Sequence, residues 1–133
     1  MGKTARDKAA IEDSQMNALW EILVPTVRMQ TLHHAQFASP YFTTRYHKVW
    51  DEKVRTISGG LTVMTPAKGQ WVSQTGELFV ERMIPVRIVA TAEQISQIID
   101  MTMEYYDQEA VLCYKLSDEV ILRHRKMKEA NAR

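Results

Sequence analysis

ELFVERMIPVRIVATAEQISQIIDMTMEYYDQEAVLCYKL, Glu77–Leu116, carries the signals that decide the fold. In its first part Ile84, Val86 and Ile88 alternate onto one face of a strand while Glu81, Met83 and Arg87 take the other, and Pro85 is expected to break the pairing locally. Thr91 followed three residues later by Gln94 is a capping box. Beyond it Ile95, Ile98, Ile99, Thr102 and Tyr106 recur at helical spacing, which places Tyr106 in the core. A polar corner, Asp107-Gln108-Glu109, leads into a last apolar strand from Ala110 to Leu116.

Upstream, Trp20–Met29 is short, apolar and β-branched, and its Pro25 demands a bulge or an unpaired edge. Residues 30–42 read as an irregular, polar and aromatic connection. Thr43 or Thr44 can cap a helix whose core face is Tyr46, Trp50, Val54 and Ile57, ended by Gly59-Gly60. Leu61–Ser73 reads as a strand joined to the next by SQTGE, with Gly76 where a hairpin turn needs it. The resulting order is strand, helix, strand, strand, helix, strand. This is the split βαβ pattern of a ferredoxin-like α+β sandwich, an antiparallel sheet with helices on one face.

A chain of 133 residues fits one domain and buries enough surface to fold without disulfides or metals. The expected layout is an N-terminal helical arm over residues 1–19, a ferredoxin-like domain over 20–124 and a basic tail over 125–133. The single cysteine, Cys113, reads as a small buried hydrophobe in a reducing compartment. With a net charge of +1, no apolar run long enough to cross a bilayer and no apolar leader, the chain reads as cytoplasmic, without nucleic-acid or membrane partners.

Phosphate-loop and metal signatures are absent. His33-His34 lies on an irregular segment without accompanying cysteines or acids, so no metal site is expected, and His47 and His124 read as ordinary surface or half-buried positions. Glu77 reads as a solvated turn residue. Aromatics, acids and an amide gather at element ends: Trp71, Glu81, Glu104, Tyr105, Gln108 and Glu109. Glu81 stands out, because a carboxylate within a sheet strand must point to the helix-free face, toward water or an interface.

From Gly69 to Lys115 the chain, with GQW, VERM and IPVRIVATAEQISQIIDMTMEYYDQEAVLCYK, resembles the phage S-adenosylmethionine lyases, formerly called hydrolases. Glu81 matches the acid of the strand preceding Val86, and Gln108 the amide before the last strand. Trp71 stands where the family pattern has a tyrosine, so no phenol role carries over to it. The resemblance implies a homotrimer with substrate between subunits and a cofactor-free reaction. The substrate's own carboxylate expels 5′-methylthioadenosine and leaves homoserine lactone, a chemistry that would let a phage blunt methylation-linked host defence. It implies catalytic roles for Glu81 and Tyr105 and substrate contacts for Trp71, Glu104, Gln108 and Glu109. Aromatic faces suit a sulfonium, and folding the substrate tail into attack geometry needs no metal. Two other readings stay open: a trimeric nucleotide-binding sensor or sponge using Arg82, Arg87 and the basic tail, and a protein that inhibits a host partner by surface contact.

Overall fold

The computed structural model describes residues 16–28 and 39–126. Most of the expected N-terminal arm (residues 1–15), the His33-His34 pair with most of its connection, and residues 127–133 of the basic tail lie outside the described residues.

Five strands and two helices follow in order: β1 (Ala18–Pro25), α1 (Thr44–Ser58), β2 (Thr62–Val63), β3 (Ala67–Val72), β4 (Leu78–Ala90), α2 (Ala92–Tyr105) and β5 (Cys113–Ser117). The sheet is antiparallel in the order β2-β4-β1-β5, with β3 also on β4. This is the expected ferredoxin-like α+β arrangement, with two changes of detail. β1 begins at Ala18 rather than Trp20 and β5 at Cys113 rather than Ala110. The single strand expected over Leu61–Ser73 is split into β2 and β3.

The split lies opposite Pro85. Leu23 faces Pro85 in the β1–β4 register, and the Leu23 N–H donates the other way, to the Leu112 carbonyl at 3.0 Å. Pro85 therefore directs its missing N–H and its carbonyl toward the β2/β3 edge, where the carbonyl accepts from Met64 N at 2.9 Å and the partner strand is interrupted. Pro25 pairs with Met83 in the same phase, so its own missing N–H faces beyond the end of β5. Both prolines sit where the ladder needs no donor.

Even-numbered residues of β1 and β4 face the helices. Ile22, Val24, Val86, Ile88 and Ala90 are buried there with Trp50, Val54, Ile95, Ile98 and Tyr106. Thr43 caps α1 by accepting from Tyr46 N, and Gly59 ends that helix with φ 91°, a left-handed conformation glycine adopts without strain. The Thr91–Gln94 capping box opens α2 with both reciprocal bonds made. Across the hairpin the Ser73 N–H donates to the Glu77 carbonyl at 2.9 Å, Gly76 has φ 84°, and Glu77 is exposed as expected.

On the helix-free face Glu21 accepts from Arg87 Nε at 3.2 Å and from the Tyr114 hydroxyl. That hydrogen bond to Glu21 pushes the Tyr114 phenol above its usual value, so the hydroxyl stays protonated and donates.

Candidate functional site

Two regions gather polar and aromatic side chains. The first is the layer between the helices. Tyr46 and Tyr105 stack with centroids 4.1 Å apart, and each hydroxyl donates to the other's carbonyl, Tyr105 to Tyr46 at 2.8 Å. Trp50 Nε1 donates to Thr102 Oγ1 at 2.9 Å, and Thr102 donates to the Ile98 carbonyl at 2.6 Å. Burial, helped by the neighbouring Tyr105, Asp51 and Tyr46, pushes the Tyr106 phenol far up, so it stays neutral and donates to His47 Nδ1 at 2.7 Å. Burial lowers His47 below its ordinary value of 6.5 against the opposing pull of Asp51, which keeps its ring neutral as an acceptor. No buried side-chain polar atom lacks a partner among the described residues. Tyr106 is core, as its helical spacing predicts. Tyr105, expected as a catalytic phenol, has its hydroxyl engaged by the Tyr46 carbonyl within this layer.

The second region lies past the end of the β1–β4 ladder. That pairing finishes at Pro25 and Met83, while β4 continues back to Leu78. Between the continuation of β1 and the early part of β4 an open cleft of about 50 Å³ is lined by Arg28, Glu81, Arg82 and Gln108, with Pro25, Thr26, Val27 and Met83 completing its walls. Thr26 Oγ1 ties the two sides by donating to the Arg82 carbonyl at 2.6 Å.

Each of these lining residues is placed by its own segment. Glu81 pairs directly with Gly69 of β3, and cross-strand partners share a face, so glycine leaves the carboxylate without a covering neighbour. Gln108 is delivered by a Schellman ending of α2. Its N–H donates to the Met103 carbonyl at 2.9 Å, and the Asp107 N–H donates to Glu104 at 3.3 Å. Asp107 takes φ 52°, a left-handed turn that aspartate tolerates better than most residues. The Gln108 amide nitrogen then donates to the Tyr106 carbonyl at 3.0 Å, which orients its side chain. Arg28 is held by bonds from Nη1 to the Ser39 and Tyr41 carbonyls at 3.3 and 3.4 Å, and its guanidinium lies 4.8 Å from the centre of the Phe42 ring.

Of the residues singled out in the sequence, the cleft therefore brings together Glu81 and Gln108, which are far apart in the chain. Trp71 lies on the β3–β4 hairpin, half-exposed and stacked on Phe79 with centroids 4.5 Å apart. Glu104 and Glu109 are exposed and, like Trp71 and Tyr105, do not line the cleft. Sequence reasoning missed Arg28. Arg28 joins the cleft because the chain runs on past the Pro25–Met83 pair, which is long-range information absent from either segment alone.

The chemistry on offer is polar recognition. No group of three or more His, Cys, Asp or Glu side chains converges as a metal site among the described residues. Cys113 is half-buried, and burial pushes its thiol up to about 11, leaving it protonated and a poor nucleophile at neutral pH. No described helix is long and apolar enough to cross a membrane.

No family model and no curated protein matches the chain. Solved structures with the same fold do. CutA from the phytopathogenic bacterium Xylella fastidiosa aligns with a TM-score of 0.56 at 10% identity, over 80% of this chain and 86% of that one. The divalent cation tolerance protein CutA1 from Thermus thermophilus gives 0.55 at 9% identity, over 83% and 88%. A phage S-adenosylmethionine lyase in complex with S-methyl-5′-thioadenosine gives 0.53 at 13% identity, over 77% and 81%. At these identities the likeness is one of fold.

Proposed function

We propose that the chain cleaves S-adenosylmethionine, releasing 5′-methylthioadenosine and homoserine lactone, with its cleft completed by a second copy in a homotrimer. One observation carries the reading: Glu81 and Gln108, matched to the acid and the amide of the lyase pattern and supplied by separate elements, line a single cleft. A neighbour in fold was solved with the thioadenosine product that this reaction would release.

The size of the cleft favours a shared site. Pockets that enclose small molecules run to roughly 300–1,000 Å³, far more than the about 50 Å³ here, so a nucleoside needs walls beyond those described in one chain. Under this reading Trp71, Glu104 and Glu109 contact substrate across the subunit boundary, the exposed indole stacking on adenine or the sulfonium. Tyr105 acts by fixing the end of α2, and thereby Gln108, against α1.

In the reaction one oxygen of the substrate's α-carboxylate attacks its γ-carbon. The carbon–sulfur electron pair leaves to sulfur, so the sulfonium becomes a neutral thioether and the carboxylate a neutral lactone, with no proton to move. The leaving group is good from the outset. Glu81 holds a cationic or hydroxyl part of the substrate, Gln108 hydrogen-bonds it, and enclosure strips water from the carboxylate. The enzyme would act in the host cytoplasm and lower the methyl donor available to host defence.

Purified protein incubated with S-adenosylmethionine should yield methylthioadenosine and homoserine lactone in equal amounts on chromatography. Substrate surviving at its spontaneous rate of decay rules the activity out. A second reading, a non-catalytic nucleotide sensor or sponge, is favoured by Arg28 and Arg82 in the same cleft, since guanidinium groups suit phosphate. It predicts an adenine nucleotide retained unchanged.

A further inference from the structure

Two apolar features at opposite ends of the chain have no use within one copy. The first follows β5. Past a turn in which the Ser117 hydroxyl accepts from the Glu119 N–H and donates to the Glu119 carbonyl, both at 3.0 Å, the chain runs through Val120, Ile121 and Leu122 without entering a strand or helix. Ile121 and Leu122 are 74% and 78% exposed. Residues of this kind in a row suit a sheet.

The second feature is a ribbon. Ala67–Val72 pairs with Leu78–Met83 beyond the end of the β1–β4 ladder, so two strands project without the rest of the sheet. Val72, Leu78 and Val80 share one face, each more than half exposed, and the Trp71–Phe79 stack takes the other. The outer edge of β3 pairs with no strand among the described residues. A two-stranded ribbon is marginal alone, and an open edge is a template for a third strand.

The two features cannot meet within one chain. Ser117 pairs with Leu19 and Leu19 with Val89, so β5 ends where β4 hands over to α2, and on the opposite edge of the sheet from β3. From Val89 back to Val80 the strand covers about 30 Å, whereas Ile121 reaches no more than about 14 Å from Ser117.

We infer that the Val120–Leu122 segment of one copy adds as a strand to the open β3 edge of the next. The inference rests on the reading above of a cleft completed by a second copy, and it names the surfaces that join the copies. Backbone hydrogen bonds hold the added strand. Ile121 and Leu122, neighbours in sequence, point to opposite sides of it and cover the two apolar faces of the ribbon. The charges match at both ends. Glu119 precedes the apolar run and Arg123 and Arg125 follow it, while Lys68 stands near the start of β3 and Glu77 at the ribbon's tip, so a segment parallel to β3 brings opposite signs together. The added strand runs past Gly69, the cross-strand partner of Glu81, and so extends the wall beside the cleft. Donor and acceptor are different surfaces, so the contact is head-to-tail and closes as a ring rather than a two-fold pair.

Sedimentation of the full chain tests this. Wild-type protein is expected to form a closed trimer, and Ile121→Asp with Leu122→Asp, or Leu78→Asp with Val80→Asp, to weaken assembly by at least about 100-fold while far-UV circular dichroism stays at the wild-type spectrum. Bismaleimide crosslinking in a Cys113→Ser background then reads the geometry. Val72→Cys and Leu122→Cys refolded together should crosslink, and neither should crosslink alone. A monomeric wild type, assembly unchanged in both pairs of variants, or crosslinking of either single variant by itself would each overturn the inference. Protein that assembles as described but leaves S-adenosylmethionine intact sinks the lyase reading alone. Protein that cleaves S-adenosylmethionine equally well in the Ile121→Asp, Leu122→Asp variant, with its assembly intact, sinks this inference alone.

Discussion

The layer between the helices and the cleft at the end of the ladder are made of similar residue types, yet they use them in opposite ways. In the layer every hydroxyl, indole and imidazole described is engaged by a neighbour: Tyr46 with Tyr105, Trp50 with Thr102, Tyr106 with His47. At the cleft Glu81, Arg28 and Arg82 are lining residues that take part in none of the ion pairs found among the described residues. Satisfied polar networks fix a structure, and unspent charge is left for a ligand. Residue type alone does not separate the two; partner lists do.

Substitutions in the layer should cost stability, and those in the cleft should not. The largest loss is expected for Trp50→Ala, which empties a fully buried site and strips Thr102 of a donor, about 3–5 kcal/mol by chemical denaturation. A loss under 1 kcal/mol would mean that the layer is far less tightly packed than described. Tyr105→Phe removes one hydroxyl bond and should cost about 0.5–1.5 kcal/mol, with turnover reduced by no more than a few fold. A large drop in turnover at intact stability would instead place the Tyr105 hydroxyl in direct contact with substrate, blurring the division between the regions.

A pH titration sharpens the same contrast. Burial depresses the folded-state pKa of His47, so the unfolded chain takes up that proton first as pH falls. Its contribution is fully present above the ordinary value of 6.5 and is lost as pH drops from there through the depressed folded value. Stability should decline across that window in the wild type and decline less in His47→Gln. The smallest effect is expected at the mouth of the cleft, where Arg82→Gln, on an exposed side chain, should move stability by no more than about 0.5 kcal/mol.

Much of the fold was legible because its signals are local. The Thr91–Gln94 box, the Ile95–Ile98–Thr102–Tyr106 stripe, the alternation through Ile84, Val86 and Ile88, and the Gly76 turn each announce an element within a few residues. Pro85 announced a broken pairing, but only the register shows that the break falls in the partner, dividing β2 from β3. The candidate site was legible in part. Glu81 stood out as a carboxylate in a strand and Gln108 as an amide at a corner. Their convergence with Arg28 depends on β1 ending against Met83, a contact between distant parts of the chain. Tyr105 looked like a site residue since nothing in its own segment reveals that Tyr46 occupies its hydroxyl.

The central claim, that the unpaired carboxylate of the cleft serves a substrate rather than the fold, is tested most directly by the rate of methylthioadenosine release from S-adenosylmethionine by Glu81→Gln. The account predicts a melting temperature at the wild-type value and turnover lower by about 10-fold or more, the loss of one charge-assisted contact. Turnover equal to the wild type in a correctly folded variant would contradict it.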